Sequence, residues 1–245
     1  DDHSKLNEIW DSIGFATRME AFFTNQKSFS KNDLLNLKNS AWNQKDFEYL
    51  INNWNETRQK LSNLEDGFNF LLAAENSQHL TILYDLKALK SQNLSRILLD
   101  HLQASLNASQ IESMILTIEP TSNKTAFMEM AENGNGQVIE DFWMFIERNL
   151  KNKDQQQALL LVHNPYFQTA LQYSTNNYDT TTFDRVKEIY VSFFEREEIQ
   201  EILTNFNKSW YSFLYLTINK SSIEMCENVS AFLLDIFSDQ KQKLI

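Results

Sequence analysis

Four histidines and one cysteine are the residues of this chain best suited to catalysis or metal binding. No two histidines have the i, i+4 spacing that places both rings on one side of a zinc-binding helix. They are His3, His79, His101 and His163. Cys226 lies in an apolar-periodic segment, as expected of a buried inert thiol, and no histidine lies near it in the sequence. These residues predict no catalytic, cofactor-binding or metal-binding site.

Two further patterns resemble functional sites but have simpler interpretations. The segment Gly134-Asn135-Gly136 is glycine-rich like a phosphate loop, yet no predicted strand precedes it and no Lys follows it. We interpret it as a turn between two helices. Four carboxylates cluster where one amphipathic helix ends and the next begins, which indicates a solvated surface. They are Glu195, Glu197, Glu198 and Glu201. We therefore expect no enzymatic activity, with an enzyme of unrecognised type on a helical scaffold as an alternative.

The composition favours long helices joined by short loops. The 245 residues include only 4 Gly and 2 Pro, where average usage would give roughly 17 and 12. Hydrophobic residues make up 42% of the chain, which is enough for a packed core. A fold with many tight turns would need more turn-forming residues. We therefore predict an all-α fold.

Charge and hydropathy exclude two classes of partner. The chain has 33 acidic and 22 basic residues, a formal net charge of −11, and no basic run. Nucleic-acid binding needs Lys and Arg to replace counterions along the phosphates, so we predict no nucleic-acid partner. The longest apolar run, 158–162, is far shorter than the roughly 20 residues of a membrane-spanning helix. We therefore predict no membrane span.

An apolar pattern recurs with a period of 44 and then 43 residues, measured between Thr125, Thr169 and Ser212. Counting from each of these anchor residues, the positions 17, 20, 21 and 25 later are apolar in all three copies. Those offsets lie on one face of a helix, so we predict three equivalent buried stripes. The stripe residues are Phe142, Val186 and Val229; Phe145, Ile189 and Phe232; Ile146, Tyr190 and Leu233; and Leu150, Phe194 and Phe237.

Weaker copies extend the pattern toward the N-terminus. We divide the chain into an N-terminal capping helix over 1–32 and a repeat array over 33–245. The approximate repeats are 33–65, 66–122, 123–166, 167–209 and 210–245. The second repeat, aligned on Phe68, is longer than the others by about 13 residues. We place these extra residues near 78–92, where the apolar spacing suggests an inserted or extended helix.

The segment from Asn123 resembles an ankyrin repeat. That family's pattern is Gly-x-Thr-Pro-Leu-His-x-Ala-Ala-x-x-Gly-His, and five residues of this chain lie at matching positions: Thr125, Ala126, Phe127, Ala131 and Gly134. The resemblance implies an α-solenoid of stacked helical hairpins with projecting turns, acting as a protein-binding scaffold. The chain departs from the pattern in its period, since the family repeat has ~33 residues. It also departs where the pattern has His, at Met128, Gln172 and Tyr215.

Aromatic residues on the predicted turns are the first candidates for partner binding. They are Tyr166, Phe167, Trp210 and Tyr211. Exposed rings make good anchors because they supply much contact area for few frozen rotors. Alternatively, these rings stack on adjacent turns and replace the missing Thr-x-x-His ties. The ankyrin resemblance adds a concave-face group: Glu129, Glu132, Tyr173 and Asn176.

The favoured function is a protein-binding scaffold, adaptor or inhibitor whose protein partner is not identified by the sequence. A secreted effector that binds a host protein is an alternative, and a homo-oligomer is another. The chain begins Asp1-Asp2-His3 without an initiator Met, so we expect a processed or truncated form whose targeting signal is gone. Seven Asn-x-Ser/Thr sequons leave glycosylation open, and both a cytoplasmic and a secreted location fit.

Overall fold

The computed structural model describes residues 34–35, 42–61, 67–76, 78–177, 179–205 and 222–238. Within these ranges the regular secondary structure is helical and contains no β-strand, so the all-α prediction is confirmed. The chain forms two compact units, Asp1–Glu119 and Pro120–Ile245. In the described residues, no helix is both long enough and apolar enough to cross a membrane.

The first unit contains five α-helices and one 3-10 helix among its described residues. They are α1 (Gln44–Asn52), α2 (Trp54–Lys60), α3 (Gly67–Ala73), the 3-10 helix (Ile82–Ala88), α4 (Gln92–Ser105) and α5 (Ala108–Leu116). Helix α1 packs against α2 and α4, and α3 packs against α5. The hydroxyl of buried Tyr84 donates to the carbonyl oxygen of Thr117 at 2.6 Å, which ties the 3-10 helix to the end of α5.

The second unit contains seven described helices. They are α6 (Ala126–Asn133), α7 (Gly136–Asn149), α8 (Lys153–Leu161), α9 (Ala170–Ser174), α10 (Thr180–Phe193), α11 (Arg196–Asn205) and α12 (Ile223–Ile236). Threonines cap both short helices that open a hairpin: Thr125 precedes α6 and Thr169 precedes α9. The Oγ1 of Thr125 accepts from the backbone N–H of Met128 at 3.2 Å, which satisfies a donor left unpaired at the helix N-terminus.

Helices at equivalent positions of the repeating pattern pack on one another. Helix α6 contacts α9, α7 contacts α10, and α10 contacts α12. The long helices α7, α10 and α12 each have 14 residues and begin at 136, 180 and 223, so their starts are 44 and 43 residues apart. The helix starts therefore keep the spacing of the anchor residues.

The predicted apolar stripes are buried where the helices pack. Phe142, Val186 and Val229, which lie 17 residues after the three anchors, are all buried. The positions 20 residues after the anchors are buried as well, which confirms this part of the predicted register. The third copy departs from it near the end of α12, where Leu233 and Phe237 are half-buried.

The segment near 78–92, where extra residues are predicted, contains the 3-10 helix and ends at the start of α4. Helix α4 also has 14 residues and begins at Gln92, 44 residues before α7 begins at Gly136. The 3-10 helix starts after Thr81 and α6 starts after Thr125. These two threonines are also 44 residues apart. The apolar side chains of the 3-10 helix, such as Ile82 and Leu86, are fully buried. The starts of the 3-10 helix and α4 therefore precede those of α6 and α7 by 44 residues each.

Several sequence predictions concern residues outside the described ranges. The capping helix over 1–32, the predicted binding residues Trp210 and Tyr211, and Tyr215 all lie there.

Replacing Tyr190 by phenylalanine is expected to lower the free energy of unfolding by about 1–2 kcal/mol. Tyr190 is fully buried, and its hydroxyl donates to the carbonyl oxygen of Leu160 at 2.5 Å. The substitution leaves that oxygen without this donor while the ring packing is unchanged. Urea denaturation measures the change. Val191→Ala is the control, because Val191 lies on the same helix and is 54% exposed. It should change stability by less than about 0.5 kcal/mol, and an equal effect of the two substitutions would contradict the assignment.

Candidate protein-binding surface

A five-residue turn at 164–168 connects α8 to α9 and is held by the buried side chain of Asn164. The Oδ1 of Asn164 accepts from the backbone N–H groups of Tyr166 and Gln168, each at 2.9 Å. Its Nδ2 donates to Gln168 Oε1 at 2.8 Å and to the Tyr173 hydroxyl oxygen at 2.7 Å. The backbone N–H of Phe167 donates to the carbonyl oxygen of Asn164 at 2.9 Å. One side chain therefore fixes the whole turn.

The two rings at the tip of this turn are exposed. Tyr166 is 75% exposed and Phe167 is 49% exposed. The Phe167 ring lies 5.0 Å from the His163 ring, measured between centroids. Phe167 also has a left-handed backbone, with φ of 62°. The turn thus projects an aromatic pair into solvent on a backbone that bulky residues rarely adopt.

The first unit contains a turn with the same hydrogen bonds at 76–80. The Oδ1 of Asn76 accepts from the backbone N–H groups of Gln78 at 2.9 Å and Leu80 at 3.0 Å. The N–H of His79 donates to the Asn76 carbonyl oxygen at 2.9 Å, and His79 has φ of 59°. In both turns the asparagine lies five residues before a threonine at the N-cap position of a helix, Thr81 or Thr169. The sequence contains this signal, and the sequence analysis missed it.

Adjacent turns of the second unit are joined by a hydrogen bond. Asn123, two residues before Thr125, has φ of 55°, and its Nδ2 donates to the carbonyl oxygen of His163 at 2.5 Å. Position 123 is thus equivalent to position 167 in the next turn. This hydrogen bond joins neighbouring turns through a backbone oxygen and does not involve the Tyr166 side chain.

Three of the four predicted concave-face residues surround Lys124. Its Nζ lies 3.1 Å from Glu129 Oε1, 2.5 Å from Glu132 Oε2, and 4.4 Å from the centroid of the Tyr173 ring. Burial lowers the pKa of Lys124, but the hydrogen bond to Glu132 and the two carboxylate charges raise it more, so the pKa lies above its usual value. Burial raises the pKa of Tyr173, against the opposing effect of the Lys124 charge. The sequence analysis missed this central lysine.

Asn176, the fourth predicted concave-face residue, lies just after α9. Its backbone N–H donates to the carbonyl oxygen of Tyr173 at 3.0 Å. The side-chain Oδ1 is buried and has no hydrogen-bond partner in the described part of the chain.

Two other polar side chains form hydrogen bonds near the cluster around Lys124, one within a hairpin and one between hairpins. Gln172 occupies the position of the ankyrin pattern's histidine in the fourth repeat, and its Oε1 accepts from the Thr169 backbone N–H at 2.8 Å. Asn177 Nδ2 donates to the carbonyl oxygen of Gly134 at 2.8 Å, which joins successive hairpins. Gly134 ends α6 and Gly136 begins α7, so the prediction of a turn at this glycine pair is confirmed.

The histidines and acidic residues show no metal-binding arrangement in the described ranges. No group of three His, Cys, Asp or Glu side chains there could hold a metal ion. His101 stacks on Trp54 with ring centroids 4.4 Å apart, and burial lowers its pKa despite the nearby charge of Asp100. This histidine therefore packs against the core of the first unit.

Comparison of the chain with protein-family models, curated proteins and solved structures finds no match. Its function has to be argued from its own residues.

Proposed function

We propose that this chain is a non-catalytic protein-binding scaffold, built as a divergent and extended ankyrin-like solenoid. Its main contact is the turn at 164–168, and the observation that carries this proposal is the exposure of Tyr166 and Phe167 on that hydrogen-bonded turn. Exposed rings on a pre-ordered backbone lose little entropy on binding, so they contribute efficiently to an interface.

Three features support the ankyrin-like architecture. Long helices of equal length begin at 92, 136, 180 and 223. Within the second unit, helices at equivalent positions pack on one another. His79, Asn123 and Phe167 have left-handed backbones, and each lies two positions before a threonine at a helix N-cap position. The ankyrin pattern has glycine at that position, and glycine is the residue that a left-handed backbone favours.

The Lys124 cluster provides a second, weaker contact region. The Lys124 ammonium group lies within hydrogen-bonding distance of both carboxylates, so these charges largely offset one another within the cluster. The side chains of Lys124 and Glu129 are each 16% exposed, which leaves little surface for a partner. We therefore place Glu129, Glu132, Tyr173 and Asn176 at the margin of the interface and the turn at its centre.

Affinity capture from the source cells, read by mass spectrometry, tests the proposal. We expect a specific protein to bind the wild-type chain and to be lost with the double substitution Tyr166→Ala/Phe167→Ala. Loss of anchor rings of this size typically costs 2 kcal/mol or more, about thirty-fold in affinity.

The matched control is Val191→Ala/Leu234→Ala, since these apolar residues of α10 and α12 are each 54% exposed. The control variant should capture the same protein as the wild type. Capture that is equal for all three chains would place the interface elsewhere. If no specific protein bound the folded wild-type chain, the scaffold function would be wrong.

A further inference from the structure

Phe167 occupies a position where a bulky residue costs stability. Its φ of 62° is left-handed, and this region is open to glycine but strained for residues with a Cβ. Asparagine tolerates the region better, as at Asn123, but phenylalanine is a clear outlier. The ring is 49% exposed, and its centroid lies 5.0 Å from that of the His163 ring. Strained residues of this kind concentrate at functional sites, where the surrounding structure holds them in place.

Asn164 holds the strained backbone. Its side chain makes four hydrogen bonds, two to backbone N–H groups of the turn and two to the side chains of Gln168 and Tyr173. The Tyr173 contact fixes the turn to α9, because Tyr173 is itself buried in that helix. The two exposed rings therefore sit on a rigid base.

The tip of the turn is uncharged, although the chain has a formal net charge of −11. Residues 164–168 are Asn, Pro, Tyr, Phe and Gln, with no acidic or basic side chain among them. A projecting pair of rings without charge complements an apolar concave surface, because charged groups opposite it would lose solvation without gaining a partner.

We propose that residues 164–168 form a display turn, in which Asn164 positions the Tyr166 and Phe167 rings for insertion into an uncharged apolar recess of a protein partner. This inference rests on the proposed scaffold function and adds the positioning residue and the chemistry of the partner surface. Asn164 does not itself contact the partner, since it is buried within the turn.

The first test compares Phe167→Gly with Phe167→Ala. Both remove the ring, but only glycine relieves the left-handed strain, so the glycine variant should melt about 2–4 °C higher than the alanine variant. Tyr166 is the control, because it is the residue just before Phe167 and its φ is not positive. There the glycine variant should melt no higher than the alanine variant. If Phe167→Gly melted no higher than Phe167→Ala, the strain that marks this position would be absent and the inference would fail.

The second test uses a phage-displayed library of random peptides, selected on the intact chain. The enriched peptides should be apolar and uncharged, and their affinity should be nearly independent of salt. They should bind Asn164→Ala and Tyr166→Ala/Phe167→Ala about ten-fold more weakly or worse. Asn164→Asp keeps the acceptor for the two turn N–H groups but loses the Nδ2–H donors to Gln168 and Tyr173. It should therefore bind more weakly than the wild type but more tightly than Asn164→Ala, and this partial rescue distinguishes positioning from general loss of structure.

Two outcomes of this selection would overturn the display turn. One is enrichment of basic peptides with salt-dependent affinity. The other is that no enriched peptide is sensitive to Asn164→Ala or to loss of the rings. Either outcome would contradict the display turn without contradicting the scaffold function. The capture experiment tests that function separately, because it would still recover a protein partner bound through another surface.

Discussion

Replacing Lys124 by methionine is expected to lower the free energy of unfolding by about 2–3 kcal/mol. Methionine preserves much of the length of the side chain but removes the ammonium group that lies between Glu129 and Glu132. The two carboxylates would then face each other, largely shielded from solvent, without their cation. The cation–π contact with Tyr173 would also be lost.

Urea denaturation of Lys124→Met, Glu132→Gln and the double variant measures the coupling. Because the two groups contact each other, the double variant should lose less stability than the sum of the single variants, by at least about 1 kcal/mol. Lys187→Met is the control, since the pair of Lys187 with Asp184 is more exposed and should contribute under about 1 kcal/mol. Additive losses from Lys124→Met and Glu132→Gln would show that the pair does not stabilise the fold.

The contribution of Lys124 should also depend on pH in a defined direction. Its pKa is raised in the folded chain, so its stabilising effect is fully present below the unfolded value of 10.5 and is lost as the pH rises toward the folded value. The stability difference between the wild type and Lys124→Met should therefore be constant near neutral pH and narrow above pH 10.5.

Replacing Gly136 by alanine is expected to lower the free energy of unfolding by about 2–3 kcal/mol. A Cβ at this position would lie 2.5 Å from the Thr181 Oγ1 and 2.8 Å from the backbone carbonyl carbon and oxygen of Thr181. The hydroxyl can rotate away, but the backbone can move only if the starts of α7 and α10 separate. This cost exceeds the roughly 1 kcal/mol that alanine normally gains over glycine within a helix.

Calorimetry or urea denaturation of Gly136→Ala tests the close approach of the two helices. Gln137→Ala is the matched control, because Gln137 is the next residue of α7 and is exposed. The control should change the free energy of unfolding by less than about 0.5 kcal/mol. Wild-type or higher stability of Gly136→Ala would mean that α7 and α10 are not in close contact there.

The helical class and the buried stripes could be predicted because they follow from simple periodicities. Scarcity of Gly and Pro limits the number of turns, and apolar residues at helical spacing identify the buried face. Phe142 and Val186 are buried for this reason. The predicted alignment of the second repeat depends on apolar residues around Phe68. Asn76, five residues before Thr81, is a stronger signal for aligning this region. Its side chain makes specific hydrogen bonds that fix a turn, whereas many different residues can fill an apolar position.

The details of the candidate surface could not be predicted from spacing alone. The ammonium group of a lysine can reach in many directions, so the position of Lys124 between two carboxylates depends on how α6 and α9 pack. Gln172 replaces the expected histidine with a different side chain that still bonds to Thr169, and a residue pattern does not show such a substitution. The left-handed backbone of Phe167 contradicts residue preference, so only the structure reveals it.

The division of the chain into two compact units determines how all of these free energies should be measured. A chain of two such units need not unfold in a single cooperative step, and one melting temperature would then mix two equilibria. Every substitution tested above lies within Pro120–Ile245. When the two transitions are separated, for example by hydrogen exchange of individual peptides, the unit Asp1–Glu119 becomes an unmutated internal reference in the same sample.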